Sequence, residues 1–318
     1  MEQKSDCLFC NAAAEWLSAI SPELKASSEG RYRNVLNNHL LPEFGERPVS
    51  GITLSDAEQY RRKLLLSHPV LSSQTVAGIF SVFRRIMAYA CRKYGLPGIE
   101  LRGLTVRQRT KPLRVLSVEE QKVLTQFLLT HVSLPGAGIL LSLYTGLRIG
   151  EVCALKWENI RLEEGRLLVQ KTMQRVQIFP ANASSVHTGV IVTPPKSASS
   201  LRTIPLPAVL AAELKPLAAS PDCYFLTGRP DKYMEPRTLE NHLRRALLSL
   251  GISGATFHTL RHTFATRAVE LGFDSKSLSE ILGHASVAIT MNRYVHPSME
   301  FKRRNMDKLA DIFSSIHS

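Results

Sequence analysis

From Leu101 to Arg114 the chain loses its hydrophobic periodicity and carries five basic side chains, Arg102, Arg107, Arg109, Lys111 and Arg114, with no acid among them. Periodic apolar segments lie on both sides, so the chain is expected to fold as two bodies joined by a solvated basic linker. The division this predicts is residues 1–100, a linker over 101–114, and residues 115–318. With 318 residues, 44% of them hydrophobic, there is apolar material for two cores.

In the first body the apolar positions recur at helical spacing. Phe9, Ala13, Trp16 and Ile20 mark one helix, and Tyr32, Val35, Leu36 and Leu40 a second. A third is expected from near Ser55 to Leu66. A longer one spans Ser73 to Tyr94 through Val76, Phe80, Phe83, Met87 and Ala90, and Gly95 and Pro97 stop it. Arg84, Arg85, Arg92 and Lys93 on this last helix suit phosphate contacts, as do Arg107, Arg109 and Lys111 of the linker; a solvated basic face is the plainer alternative.

The second body opens at Ser117, which with Glu120 makes a capping-box pattern. Short extended pieces follow at Arg166 to Lys171, Val190 to Thr193 and Arg202 to Leu206, bounded by Gly, Pro and Ser. Helical patterns return over Ala208 to Leu217, Pro236 to Leu250, Thr256 to Leu271 and Ser275 to Leu282. The expected fold is therefore mainly α with a small antiparallel sheet in the second domain. Residues 174–189 read as a long polar loop of unassigned role, and Met306, Leu309, Phe313 and Ile316 as a terminal apolar stripe that docks on a neighbouring subunit or on its own domain.

Forty Lys and Arg against 27 Asp and Glu give a formal charge of +13, which attracts polyanions, nucleic acid first among them. Nothing resembles a signal peptide or a membrane span, and the five cysteines, Cys7, Cys10, Cys91, Cys153 and Cys223, do not make a disulfide framework. A reducing cytoplasm is the expected location. Cys7 and Cys10 form a C-x-x-C with no second pair nearby and are read as ordinary helix residues.

Four segments of the second body concentrate basic and phenolic groups: TGLRIGE around Arg148, PPKSASSLRTIPL around Lys196, HTLRHTFAT around Arg261, and LGH ending at His284, ahead of Tyr294. Glu151 lies one helical turn after Arg148 and can brace it. His258 and Arg261 stand three apart and share a face; His262, four after His258, raises a metal pairing. Thr259 stands where a zinc enzyme of H-x-x-x-H type places a glutamate, which weighs against that pairing.

In order and spacing these segments resemble the tyrosine recombinases, a family that includes phage integrases, over nearly the whole chain. The resemblance implies Arg148, Lys196, His258, Arg261, His284 and Tyr294 as catalytic groups, with Glu151 supporting. It also implies double-stranded DNA as partner, a homotetramer on paired sites, and room for an accessory DNA-bending or directionality factor. No cofactor and no metal are expected. The chain starts almost directly with the helical domain, so an additional arm-binding domain of the phage integrase kind is not expected.

The chemistry fits independently. A phosphodiester is shielded by its own charge, and two guanidiniums can fork onto its non-bridging oxygens as negative charge builds. A phenol with a pKa of roughly 10 needs a base, here assigned to His258, and the leaving 5′-oxygen needs an acid, here Lys196. His284 would bond the phosphate. The product is a 3′-phosphotyrosyl enzyme that a free 5′-hydroxyl can reverse. A non-cutting DNA-binding protein of this fold, a type IB topoisomerase-like strand relaxer and a metal-dependent hydrolase are the alternatives.

Overall fold

The computed structural model describes residues 7–67, 71–98, 113–178, 187–194 and 198–294, with 303, 306 and 307 beyond them. These fall into two compact units, one within Met1–Lys111 and Val176–Gly189, the other within Pro112–Arg175 and Val190–Ser318.

The described N-terminal part of the first unit is built from helices. α1 (Phe9–Ile20) is followed by α2 (Ala26–Val35), which runs through a π turn at Leu36–Leu40 into α3 (Leu41–Phe44); α4 (Leu54–Leu66) and α5 (Ser73–Tyr94) complete it. α4 begins slightly before the expected Ser55, because Thr53 and Asp56 satisfy each other's backbone N–H groups in a capping box. α5 ends where Gly95 adopts φ 61, a left-handed C-cap that costs a residue without Cβ little. Phe9, Phe44, Tyr60, Phe80 and Phe83 interlock at ring-centroid distances of 5.0 to 6.1 Å and form the centre of this core. Each such buried ring contributes about 1.5–3 kcal/mol by leaving water.

The second unit starts with α6 (Val118–Thr130), capped by Ser117 and Glu120 as expected. α7 (Leu134–Thr145) is apolar on nearly all sides and runs through the core, and α8 (Ile149–Ala154) follows directly. β1 (Ile160–Arg161), β2 (Arg166–Val169) and β5 (Arg202–Pro205) form an antiparallel sheet in the order β1-β2-β5, with Leu167 opposite both Ile160 and Ile204. β3 (Thr172–Ile178) and β4 (His187–Thr193) pair separately, and their ends Val176–Ile178 and His187–Gly189 fall in the first unit. The stretch read as a loop over 174–189 therefore starts and ends in strand, and 179–186 lies outside the described residues. The buried residues of β3, Met173 and Val176, are three apart, so no simple alternation shows in the sequence.

α9 (Ala208–Leu214), α10 (Pro236–Ser249), α11 (Phe257–Glu270), α12 (Ser275–Leu282) and α13 (Val287–Tyr294) follow. The fold is mainly α with small antiparallel strands, as expected. Of the terminal stripe, Met306 is described and exposed, while Leu309, Phe313 and Ile316 lie outside the described residues. Among the described residues no helix is long and apolar enough to cross a membrane.

Candidate active site

α7 ends at Gly146, which takes φ 70; a Cβ there would also come within 2.6 Å of Phe264 and 2.8 Å of Leu282. That sharp exit sets Arg148 at the N-cap of α8, where the Glu151 carboxylate accepts from both the Arg148 backbone N–H (2.9 Å) and its Nη1 (3.0 Å). α12 ends in the same way at Gly283, φ 64. The glycines of TGLR and LGH are thus turn residues that bring two helix ends together.

Arg261 of α11 is 1% exposed and donates from Nη1 to the Gly146 carbonyl and from Nη2 to the Leu282 carbonyl, both at 2.7 Å. Arg148 reaches the same place from the other side, with Nη1 3.4 Å from the Leu282 oxygen and Nη2 3.4 Å from that of Gly283. Two guanidiniums converge on one carbonyl. Arg202, at the start of β5, adds a third: its Nη1 and Nη2 fork onto Glu151 at 3.0 and 2.9 Å, and its Nε donates to Ile281 O at 2.6 Å.

Against these three cations stands Glu151, 2% exposed. Burial alone would raise its pKa, but the hydrogen bond and charge of Arg202 and the charge of Arg148 outweigh that and hold it below the usual carboxylate value. Burial, and next the charge of Arg148, pull Arg261 below the usual guanidinium value. The fork stays charged, so the cluster holds uncompensated positive charge, the condition under which an anion binds.

Tyr294 closes α13 and packs with Ala265, Ala268, Leu278 and Leu282 in a small core of its own. Its hydroxyl meets Nδ1 of His262 at 2.8 Å. His258 lies one turn back on α11, exposed, with its ring edge-on to that of His262 at 4.4 Å. His284 stands parallel to the Tyr294 ring at 6.3 Å and shares a 2.7 Å hydrogen bond from Nδ1 with the buried Thr290 hydroxyl. Burial holds His262 and His284 each down to about 4, aided at His262 by the charge of His258 and then of Arg293 and Arg261, and at His284 by the surrounding arginines; partial desolvation of its ring and the same arginines lower His258. Burial raises Tyr294 against the pull of Arg261 and Arg293. A cleft of about 370 Å³ opens beside Arg148 and His258, lined further by Thr172, Met173 and Glu240.

Five of the six expected catalytic residues, Arg148, His258, Arg261, His284 and Tyr294, are thus neighbours, and Glu151 braces Arg148. Lys196 lies outside the described residues, as do Arg107, Arg109 and Lys111. On α5, Lys93 is paired with Glu15 at 3.0 Å and Arg85 donates to the Tyr32 hydroxyl at 2.7 Å; Arg84 is half-buried and Arg92 exposed. Arg202 and His262 were not singled out as site residues from the sequence. Among the described residues no group of three or more His, Cys, Asp or Glu is placed to hold a metal ion.

A helical unit followed by a mainly helical unit with a small sheet, carrying an arginine cluster beside a buried tyrosine, is the layout of the tyrosine recombinases, enzymes that cleave and rejoin DNA. Residues 114–300 match the model of the phage integrase family, and residues 9–65 that of the phage integrase N-terminal SAM-like domain. The chain belongs to the phage integrase family and is a site-specific DNA recombinase. It is 28% identical to a XerC-like tyrosine recombinase of Caldanaerobacter subterraneus over 90% of this chain and 77% of that one. It is 24% identical to the transposase of transposon Tn916 from Enterococcus faecalis, over 92% of this chain and 76% of the other. The fold is shared with the Tn1549 transposon integrase bound to transposon right-end DNA (TM-score 0.74, 19% identity, 96% of this chain and 100% of that one). It is shared too with a lambda integrase tetramer bound to a Holliday junction (TM-score 0.67, 15% identity, 91% and 77%).

Proposed function

We propose that the chain cuts double-stranded DNA through attack of Tyr294 on a phosphodiester held by Arg148 and Arg261, leaving a 3′-phosphotyrosyl link and a free 5′-hydroxyl. The observation that carries this reading is the convergence of both guanidiniums on the Leu282 carbonyl, with net positive charge left over and the Tyr294 hydroxyl close by. An arriving phosphate replaces that carbonyl as the shared acceptor, with charge-assisted bonds that strengthen as the pentavalent state forms. His258 faces the cleft from the exposed side. The reading takes the Thr290 hydroxyl as donor to Nδ1 across their 2.7 Å contact, which leaves the His284 proton on Nε2 to be donated to the phosphate. Lys196 serves as the general acid that protonates the 5′-oxygen.

Strand exchange needs two duplexes, and the lambda integrase tetramer on a Holliday junction supports a homotetramer on paired sites here. The reading divides the chain into residues 1–100, a basic linker over 101–114 that would lie along DNA, and residues 115–318, and the separation of two compact units at Lys111/Pro112 supports it. An accessory bending or directionality factor and a cytoplasmic site of action complete the reading. The test is incubation in chelator with a nicked suicide duplex bearing a candidate site. A protease-sensitive covalent adduct is expected from the native chain and none from Tyr294→Phe; tight binding without an adduct would point to a non-cutting protein of the same fold.

A further inference from the structure

The nucleophile needs a proton acceptor, and the atom that touches it is not on the histidine of the H-x-x-R motif. The geometry points to His262 as the general base for Tyr294: Nδ1 takes the phenolic proton as Oη attacks phosphorus, and returns it when the 5′-hydroxyl reverses the step. This rests on Tyr294 being the nucleophile. The Oη–P bond forms and the P–O5′ bond breaks. The phenolic proton goes to His262, the 5′-oxygen leaves with a proton from the general acid, and the charge of the phosphodiester is unchanged.

Three observations converge. The Nδ1 to Oη distance is 2.8 Å, inside the range a proton transfer requires. His262 is 6% exposed and Tyr294 7%, so no bulk water competes for that bond. The groups acting on His262 are His258 and Arg261 of its own helix and Arg293 of α13; the other helices packed on α11 carry the titratable Tyr144 (α7) and Lys276 and Glu280 (α12), which are not among the groups that shift it. Burial and the three cationic or protonatable neighbours keep its ring neutral at pH 7, able to accept. A phosphodiester between Arg148 and Arg261 offsets part of that positive field, so the base strengthens as substrate binds.

Single-turnover adduct formation by the full chain on the nicked duplex, from pH 6 to 8.5, tests this. His262→Asn can keep a hydrogen bond to Oη but cannot hold a proton, and is expected to slow adduct formation by about 100- to 10,000-fold near pH 7. The deficit should narrow by about tenfold per pH unit as hydroxide generates phenolate. A duplex with sulfur in the 5′-bridging position, which needs no general acid, should restore Lys196→Ala and leave His262→Asn slow. A His262→Asn rate near that of the native chain, a deficit that is constant with pH, or rescue by the sulfur substrate each overturns the assignment. Should His262→Asn not fold, the native profile decides: a level rate over this range supports the base, and a log-linear climb with pH overturns it. An adduct from Tyr294→Phe would instead remove the nucleophile reading itself.

Discussion

Glu151 holds the Arg148 guanidinium with one oxygen and its backbone N–H with the other, and the Arg202 guanidinium with both; the Arg202 side chain is 5% exposed. Glu151→Gln keeps the shape but strands a buried guanidinium. The expected loss is about 3–5 kcal/mol, read as a lowered urea midpoint, together with slower adduct formation from a displaced Arg148. The histidines make a second case. His262 and His284 sit near 4 in the folded chain against an ordinary value of 6.5, so between those limits the unfolded chain binds more protons. Stability should therefore be full above about pH 6.5 and fall as pH drops toward about 4, and the melting temperature of His262→Asn should fall less steeply over that window. Glu151, held below its ordinary value, adds a further loss at lower pH, as it takes up its proton. The sequence displayed most of this site, since a guanidinium pair, an H-x-x-R face and a tyrosine define a chemistry by residue type. His262 stayed hidden because its role depends on a partner 32 positions away; its spacing from His258 showed only that the two share a helix face.

At the scale of elements, two left-handed glycine caps decide whether the arginines meet. Gly146→Ala would force an L side chain to φ 70 and push it against Phe264 and Leu282. About 1–2 kcal/mol of backbone strain adds to a packing conflict of about 1–3 kcal/mol. A lower melting temperature should appear along with a loss of adduct, because the displaced carbonyl is an Arg261 acceptor. Strong caps and a long periodic face made α5 legible in the sequence at both ends, and the capping box made α6 legible at its start. α13 was not, since its few residues carry no clear stop before the tyrosine. Arg202 did leave a trace: in β5 it falls on the same face as the buried Ile204, and a charge on the inward phase of a strand asks for a buried partner. That partner is Glu151.

For the molecule as a whole, a formal charge of +13 makes DNA binding an ion-exchange reaction. The logarithm of the binding constant should fall linearly with that of salt concentration, with a slope of about −0.9 per phosphate neutralised. Charge-removing changes at Arg92 or at Arg107 of the proposed linker should reduce that slope and leave the melting temperature unchanged; an unchanged slope would assign those residues to solvent. The order of motifs along the chain disclosed the family. The target sequence stayed illegible, because base readout depends on groove geometry that residue order does not encode. The seclusion of Tyr294 has a consequence for the safety of the genome it acts on. A phosphotyrosine seated in that small apolar cluster is walled off from water on the tyrosine side, and its bonded histidine is positioned to help a tyrosine leave and not to activate a stray water. On the proposed mechanism, resealing by a DNA end is expected to outrun hydrolysis, so that a stalled complex keeps its strands tethered and does not shed them as a permanent break.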